Sequence, residues 1–583
     1  VAAVAEAKSS PPGSVVRAAL NQTNPGWLEH QNRCTRFDRA YEVYRGQVKA
    51  SPTMKDWQTK LYVKYGMQVV DQLLANLVQG SPKAICKPRR EQDVVAAKAM
   101  EVLLGYYADA DHIAETEQVV TAQALIYGVS PAKNYWRYEE STIRDRNGFE
   151  MQIVEADRPC FVPWNVYDCW WDPYARDVDA AAYVVLRDWM TKEELEKRRK
   201  GEDGYGGYEN LDLLYKSGPG EQPPTTAQNR LMAQPVNPYK DRFEILEIWR
   251  DNRVTVIGNR QVLLRDDPKP YWMAGKPVVI SCSRPDLFQI EGISETELID
   301  HLQQALHMVT NLRMDNLKFT VNRGASYRES GILDIDRLVV RPHFLWPVTD
   351  HDDIHFHDQP PLPREAYQEE ETLLGRLQYV TGISPYVTGA SSAGTGVDQN
   401  TATGVSLLHE SASRLLSFKA NQIRLRTWQR TFEQWADLTK QFLTQTQAVA
   451  IEGPGSTTTW LEISPQDVLG DYDVRIQAGE EALSRQQERS EAIAILNALA
   501  PFAQMGLVNL QPLLEKVAYA YDMPNSAALF PAPQPQAPPA APMNGQQPAQ
   551  GAPQPSPQAP TPFSLGGGIT PQPAQAILQG NAR

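Results

Sequence analysis

The rhythm of apolar positions changes along the chain, and each change predicts an element. Residues 1–25 are small and polar with Pro11, Pro12 and Pro25, and predict a loose arm. Helical periods follow at about 27–50, 56–79 and 91–127; in the second, Leu61, Tyr65, Val69 and Leu73 recur every four residues. The stretch Gly128 to Pro131 ends this block. From Asn134 to Val185 aromatic and β-branched residues take over in NYWRY, FEMQIVEA, CFVPWNVYDCWW and AAAYVVL, which predicts strands. A short helix then opens at Thr191, with Glu194 completing a capping box and Met190 and Leu195 placed as a hydrophobic staple. Residues 201–240, rich in Gly, Pro, Gln and Asn, read as a long surface insertion. Strands return between Phe243 and Ser281 in FEILEIWR, RVTVIG, QVLLR and PVVIS.

A long helix is predicted from Ser294, with Glu297 as its capping-box partner and Ile293 and Leu298 as its staple. Leu298, Leu302, Ala305, Val309 and Leu312 form a heptad-like seam, and the helix extends to about Val321, roughly 40 Å at the rise of an α-helix. From Asn322 to Pro363 the chain is irregular and strand-like, in GILDIDRLVVRPHFLWPV and DDIHFH. Helix resumes at about Arg364 to Tyr379. A Gly/Ser/Thr loop follows, and then the longest predicted helix, about 402–447, with Leu425, Trp428, Phe432, Trp435, Thr439 and Phe442 on its seam. Strands are expected near 458–476 and helix at about 482–522. From Pro531 onward Pro, Gln, Ala and Gly leave little to bury, which predicts disorder over 531–583.

Composition narrows the function. The 583 residues allow several sub-domains, and a hydrophobic content of 42% is ordinary for a globular protein. A net charge of −13 argues against a tight, sequence-reading DNA binder. It leaves room for a surface that DNA slides past, because an acidic wall repels phosphate. Cys34, Cys86, Cys160, Cys169 and Cys282 are odd in number and lack CxxC spacing, which points away from a disulfide framework or zinc ribbon and towards a reducing compartment. No apolar run approaches the length needed to span a bilayer, so no membrane partner is expected. The opening VAAVAEAKSSPPGS lacks the basic-then-apolar order of a secretory signal, and the missing initiator Met points to a processed or trimmed start.

Candidate chemistry is sparse. The run His351-Asp352-Asp353-Ile354-His355-Phe356-His357-Asp358 could ligate a divalent metal, with His355 and His357 on one strand face. No matching cluster lies elsewhere, so a solvated edge strand explains it better, and no metal or cofactor is expected. Gly389, Gly394, Gly396 and Gly404 do not spell a phosphate-binding loop, and no Lys follows them. Neither GxSxG nor HExxH occurs, and no catalytic residue is assigned. The tryptophans, Trp164, Trp170, Trp171, Trp428 and Trp435 among them, read as core or subunit-contact residues.

Three phrases in order carry a family resemblance: VPWNVYDCWWDPYARDVDAAAYVVLRDWMTKEEL (Val162 to Leu195), FQIEGISETELIDHLQQALHMVTNLRMDN (Phe288 to Asn316) and YVTGISPYVTGASSAGTGVDQNTATGVSLLHESASRLL (Tyr379 to Leu416). Over about 30–530 the chain resembles the portal, or head-to-tail connector, proteins of tailed double-stranded-DNA bacteriophages. One departure is Gly404, where the family more often carries Glu. The resemblance implies an α+β, mainly helical portal fold with wing, stem, clip and crown regions. It maps a flexible arm to 1–26, the wing to 27–291, the first stem helix to 292–322, the clip to 323–360 and the second stem helix to 361–382. A tunnel loop falls at 383–401, the wing's spine helix and strands at 402–479, a helical crown at 480–530 and the Pro/Gln-rich tail at 531–583.

The resemblance further implies a non-enzymatic subunit in a ring of about twelve copies at the unique capsid vertex. Double-stranded DNA would pass through its channel during packaging and genome ejection. Its partners would be the terminase large subunit, the head–tail adaptor or neck proteins, and the major capsid and scaffolding proteins. It would be assembled in the bacterial host cytoplasm and reside in the virion. Tunnel-loop candidates are Tyr386, Thr388, Ser391, Ser392, Thr395, Asp398 and Asn400; Lys318 and Arg376 are candidate channel cations. Arg328, Glu329, Asp334, Arg337 and His355 are candidate clip contacts to terminase or adaptor. The rival readings are another structural virion protein, either a scaffold or a neck adaptor, and a metal-dependent nuclease built on 351–358.

Overall fold

The computed structural model describes residues 12–47, 55–78, 82–144, 150–200, 207–219, 241–321, 325–328, 350–357, 364–383, 414–453 and 457–476. Helices and antiparallel strands alternate along these residues in a mixed α+β fold. The predicted helix at 482–522, the start of the predicted 402–447 helix and the tail at 531–583 lie outside them.

A five-stranded antiparallel sheet forms the centre of the first half, in the order β4 (Cys169–Trp171), β5 (Val184–Met190), β6 (Phe243–Trp249), β7 (Arg253–Gly258) and β8 (Val262–Pro268). Every residue of β6 is buried because both faces of the sheet are covered. Val184, Leu186, Ile245 and Trp249 face the main core. Val185, Leu246, Ile248 and Ile257 face the N-terminal helix. A three-stranded sheet lies beside it, in the order β3 (Glu150–Pro163), β2 (Ser130–Arg144) and β9 (Val278–Ser281).

The N-terminal helix runs from Pro12 to Arg45, so residues 12–25 are not the loose arm that their composition predicts. Val16, Ala19 and Thr23 recur on one face and are buried there, and apolar burial outweighs weak helix propensity. Pro25 interrupts the helix's own bonding, and Gly26 beside it donates its N–H to Tyr183 Oη at 3.1 Å. A Cβ at Gly26 would stand 2.5 Å from the Trp171 carbonyl oxygen, so only glycine allows this approach.

Other elements depart from the pattern in instructive ways. The expected 91–127 block is two helices, Val94–Ala110 and Ile113–Tyr127, broken at His112 with φ 51°. The second ends at Gly128, φ 75°, the left-handed cap that glycine favours. The expected insertion at 201–240 contains a helix, Leu211–Lys216, whose Leu211 and Leu214 enter the main core. The capping box at Thr191 forms: its N–H donates to Glu194 Oε2 at 2.6 Å, and the Glu194 N–H donates to Thr191 Oγ1 at 3.3 Å. Met190 and Leu195 both join the main core, as a staple requires.

The helix before the last strands shows the most consequential departure. Residues 414–423 are α-helical, Arg424–Gln429 form a π-helical turn, and Arg430–Phe442 return to α. The wider turn rotates the register. Trp428, Phe432, Trp435 and Thr439 stay buried, whereas Leu425, expected on the same seam, is exposed. This helix packs on β2 and β3 through Trp435 Nε1, which donates to Asn134 Oδ1 at 3.1 Å, and through Phe161 against Trp428. A hairpin of β12 (Gln447–Gly453) and β13 (Thr457–Ile463) follows, and β14 (Tyr472–Ile476) then pairs with β1 (Ala84–Pro88).

Glu117, on the Ile113–Tyr127 helix, is buried within reach of the π turn. Burial pushes its carboxyl up to about 7, and the Arg424 guanidinium pulls the other way. The folded pKa exceeds the unfolded one, so this group costs nothing below the unfolded pKa and destabilises increasingly as pH rises to about 7. Glu117→Gln is expected to gain roughly 2–3 kcal/mol over the wild type at about pH 8 and little at about pH 5. Urea unfolding at the two pH values checks this; an equal gain at both would assign the effect to packing.

Candidate functional site

The helix Glu295–Val321 has 27 residues, and Arg364–Thr381 packs against it in antiparallel fashion. Leu306 shares a core with Leu373 and Leu377, and further along Thr310 and Arg313 both bind Glu370. The expected start is present: the Glu297 N–H donates to Ser294 Oγ at 3.1 Å. Ile293 is exposed, so the expected staple with Leu298 does not close.

A buried ionic junction lies beside residues 383 and 414, on either side of the segment 384–413. Glu295, in the first turn of the long helix, and Lys419 are both fully buried, with Lys419 Nζ 2.9 Å from Glu295 Oε1. Arg284 Nε lies 3.1 Å from the same oxygen. Each cation also binds the end of the helix at Thr381: Lys419 Nζ donates to the Thr381 carbonyl at 2.9 Å and Arg284 to the Val380 carbonyl at 3.0 Å. A carboxylate at a helix N-terminus and cations at a helix C-terminus both match the helix dipoles. Burial lowers the Lys419 pKa, and the Glu295 carboxylate opposes that shift. Gly382, φ 77°, makes the exit turn against Leu415, and Ile383 and Leu416 are buried in one cluster. The outgoing and returning chains are thereby fixed side by side.

A second feature runs along the long helix. Gln303, His307, Asn311 and Asp315 recur every fourth residue and are buried although polar. His307, Asn311 and Asp315 hold the backbone of the extended segment before the helix Tyr65–Leu77, and Gln303 holds the first turn of that helix. Gln303 Oε1 accepts from the Gly66 N–H at 2.8 Å, and His307 Nε2 donates to the Val63 carbonyl at 2.8 Å. Asn311 Oδ1 accepts from the Leu61 N–H at 2.9 Å, and Asp315 Oδ1 from the Thr59 N–H at 2.7 Å. The expected Leu298-to-Leu312 seam is only partly buried: Leu302, Ala305 and Val309 pack half-buried against the core. Ile299, Leu306 and this polar ladder are buried, while Leu312 is exposed. Leu61 lies on the extended segment and not on a helix, because side chains of the long helix satisfy its backbone.

At the other end of the two helices, β10 (Ala325–Tyr327) pairs with β11 (Ile354–Phe356). Arg328 lies 3.3 Å from the buried Asp353, which also accepts from the Asp350 N–H at 2.8 Å. His355 and His357 are exposed, with ring centroids 5.5 Å apart. No group of three or more potential metal ligands occurs among the described residues. Lys318 is engaged, donating to the Trp57 carbonyl at 3.0 Å and to Asp315 at 3.1 Å. Arg376 is exposed. Tyr386, Thr388, Ser391, Ser392, Thr395, Asp398 and Asn400, and also Glu329, Asp334 and Arg337, lie outside the described residues.

Composition and period missed Glu295, Lys419 and the ladder. The ladder's signal was present only as polar residues at four-residue spacing, in a helix that carries polar residues on other faces too.

The family model of the phage SU10 portal protein matches residues 149–560. No curated protein matches the chain. The matched span contains the junction, both long helices and the segment 384–413.

Lys419→Met leaves Glu295 buried with only Arg284 opposite it. A loss of about 3 kcal/mol is expected, near the low end for breaking a buried pair because Arg284 remains. Pairing it with Glu295→Met should recover part of that loss. Urea unfolding of both variants is the check, and an unchanged midpoint for Lys419→Met would deny the junction its role.

Proposed function

The chain belongs to the phage SU10 portal protein family, and from that premise we propose that it forms the ring-shaped DNA channel at the unique vertex of a phage capsid. Family membership makes it a structural, virion-associated protein and not an enzyme, and it supports assembly into a ring. In the proposal the terminase large subunit drives DNA through the channel, neck proteins later attach to the same ring, and the channel serves genome ejection. Scaffolding and major capsid proteins meet its outer surface, and assembly takes place in the host cytoplasm.

The observation that carries this reading is the long helix. One side holds the polar ladder and another packs on the antiparallel helix. A third shows His301, Gln304, Met308 and Leu312 to solvent, with Met308 64% and Leu312 62% exposed. A lone subunit gains nothing from leaving Met308 and Leu312 bare on a helix of this length. Copies around an axis bury them.

In this reading the two helices are the stem, and 323–360 is the clip, with Arg328, Glu329, Asp334, Arg337 and His355 as docking candidates. The strand-rich half is the wing, 480–530 the crown, and 383–401 the tunnel loop. Asp398 is the loop's lone charge, so its contact with DNA is steric and weakly polar. Lys318 is held by Asp315 and Trp57, which leaves Arg376 as the better channel-cation candidate.

Native mass spectrometry is expected to show a closed ring of about twelve copies. A protein that stays monomeric at micromolar concentration in every buffer would end this reading. Deleting Ser391 to Gly396 is expected to leave rings and proheads normal while DNA is packaged poorly or leaks. Packaging and retention at wild-type levels would remove the tunnel-loop assignment alone.

A further inference from the structure

The two long antiparallel helices show one unpartnered face each, and helical geometry turns these faces in opposite directions. Successive residues of an α-helix are rotated by about 100°. On Glu295–Val321, Thr310 and Arg313 bind Glu370 of Arg364–Thr381, and Leu306 shares a core with its Leu373 and Leu377. Met308 stands two residues from both Leu306 and Thr310, hence about 160° round the helix from each, and Leu312 stands two residues from Thr310. Both point away from the antiparallel helix, and both are exposed. On Arg364–Thr381 the inward residues are Glu370, Leu373 and Leu377. Gln368 and Thr372 each stand two residues from Glu370, Gly375 two from both leucines, and Tyr379 two from Leu377. These four therefore point away from the long helix, and all are exposed, Tyr379 to 88%.

Gly375 marks the outer face as one that another surface approaches. It lies inside a helix, where glycine is less stable than alanine, and a Cβ added to it would meet nothing within 4 Å. No contact within the subunit calls for glycine there; a side chain arriving from outside does. The bare apolar stripe supplies such a side chain, and its height fits. Glu370 binds Thr310 and Arg313, so in the antiparallel pair Gly375, five residues further on, lies level with residues 305–308 of the long helix. Gln368 and Thr372, two residues to either side of Glu370, bracket the level of Leu312. In a ring whose axis runs along the helices every subunit stands at the same height. A stripe and a seat on opposite sides of one subunit, level with each other, then meet across every boundary.

We propose that the outer face of Arg364–Thr381 in one copy seats the long helix of the next copy, with Met308 lying over Gly375 and Leu312 against Gln368 and Thr372. The contact joins two different faces, so its repetition around an axis closes a ring. Arg376, one residue from Gly375, is turned about 100° from this face and stays available to the channel. The proposal rests on the ring reading above and specifies one contact within it.

The test is made on the full chain in two ways. Met308→Cys with Gly375→Cys, assembled and treated with a mild oxidant, is expected to give a ladder of covalent multimers on a non-reducing gel, while each single variant stays monomeric there. The two positions point apart within one subunit, so an internal disulfide does not compete. Gly375→Leu is expected to raise the subunit concentration for half-dissociation by about tenfold or more in analytical ultracentrifugation, because the added side chain fills the seat. Its dissociated subunit should melt no lower than wild type by circular dichroism, since the new side chain enters open space. Rings of the double-cysteine variant that native mass spectrometry detects but oxidation does not link would overturn the contact. Gly375→Leu rings as tight as wild type would also overturn it, giving the face to the channel or to another protein. A ladder from Met308→Cys alone would mean that two long helices meet each other, and would overturn it too. A wild-type protein that forms no ring would instead remove the underlying reading.

Discussion

The buried contact among Glu295, Lys419 and Arg284 is the constraint from which the organisation of the second half follows. It joins the start of one long helix, the end of its antiparallel partner and the returning helix at a single carboxylate oxygen. Ions removed from water are costly, and here the cost is offset by placement. The anion lies in the first turn of a helix, and both cations bind the last carbonyls of another. A purely apolar junction would hold the same elements together less specifically. The ionic one fixes the chain ends on either side of residues 384–413.

With that base fixed, the long helix divides its circumference between uses that compete for residue type. Leu306 serves the antiparallel helix, His307, Asn311 and Asp315 serve the extended segment, and Met308 and Leu312 serve neither. An isolated helix would have been more stable with one broad apolar stripe. Three narrow faces suit a subunit that completes its packing only in an assembly, which is what membership of a portal family leads one to expect. The π turn at Arg424–Gln429 follows the same logic, keeping Trp428 and Trp435 in one core while turning Leu425 out of it.

Much of this was legible in the chain. Strands came from aromatic and β-branched runs, the capping box at Thr191 from two residues, and the long helix from Ser294 and Glu297, because each signal is local and each element satisfies its own backbone. The family was legible in three phrases in order, which composition alone could not supply. What tertiary structure alone decided were matters of partnership. Residues 12–25 become helix because a sheet face distant in sequence buries Val16 and Ala19. Leu61 leaves its helical period because Asn311 takes its N–H, and Leu312 loses its place on the seam because polar residues one turn away have backbone to hold. Glu295 and Lys419 look like ordinary surface charges until the fold closes water out around them. Periodicity records which side of an element is apolar; it cannot record which distant backbone or charge will arrive there, and that arrival decides which polar residues are buried.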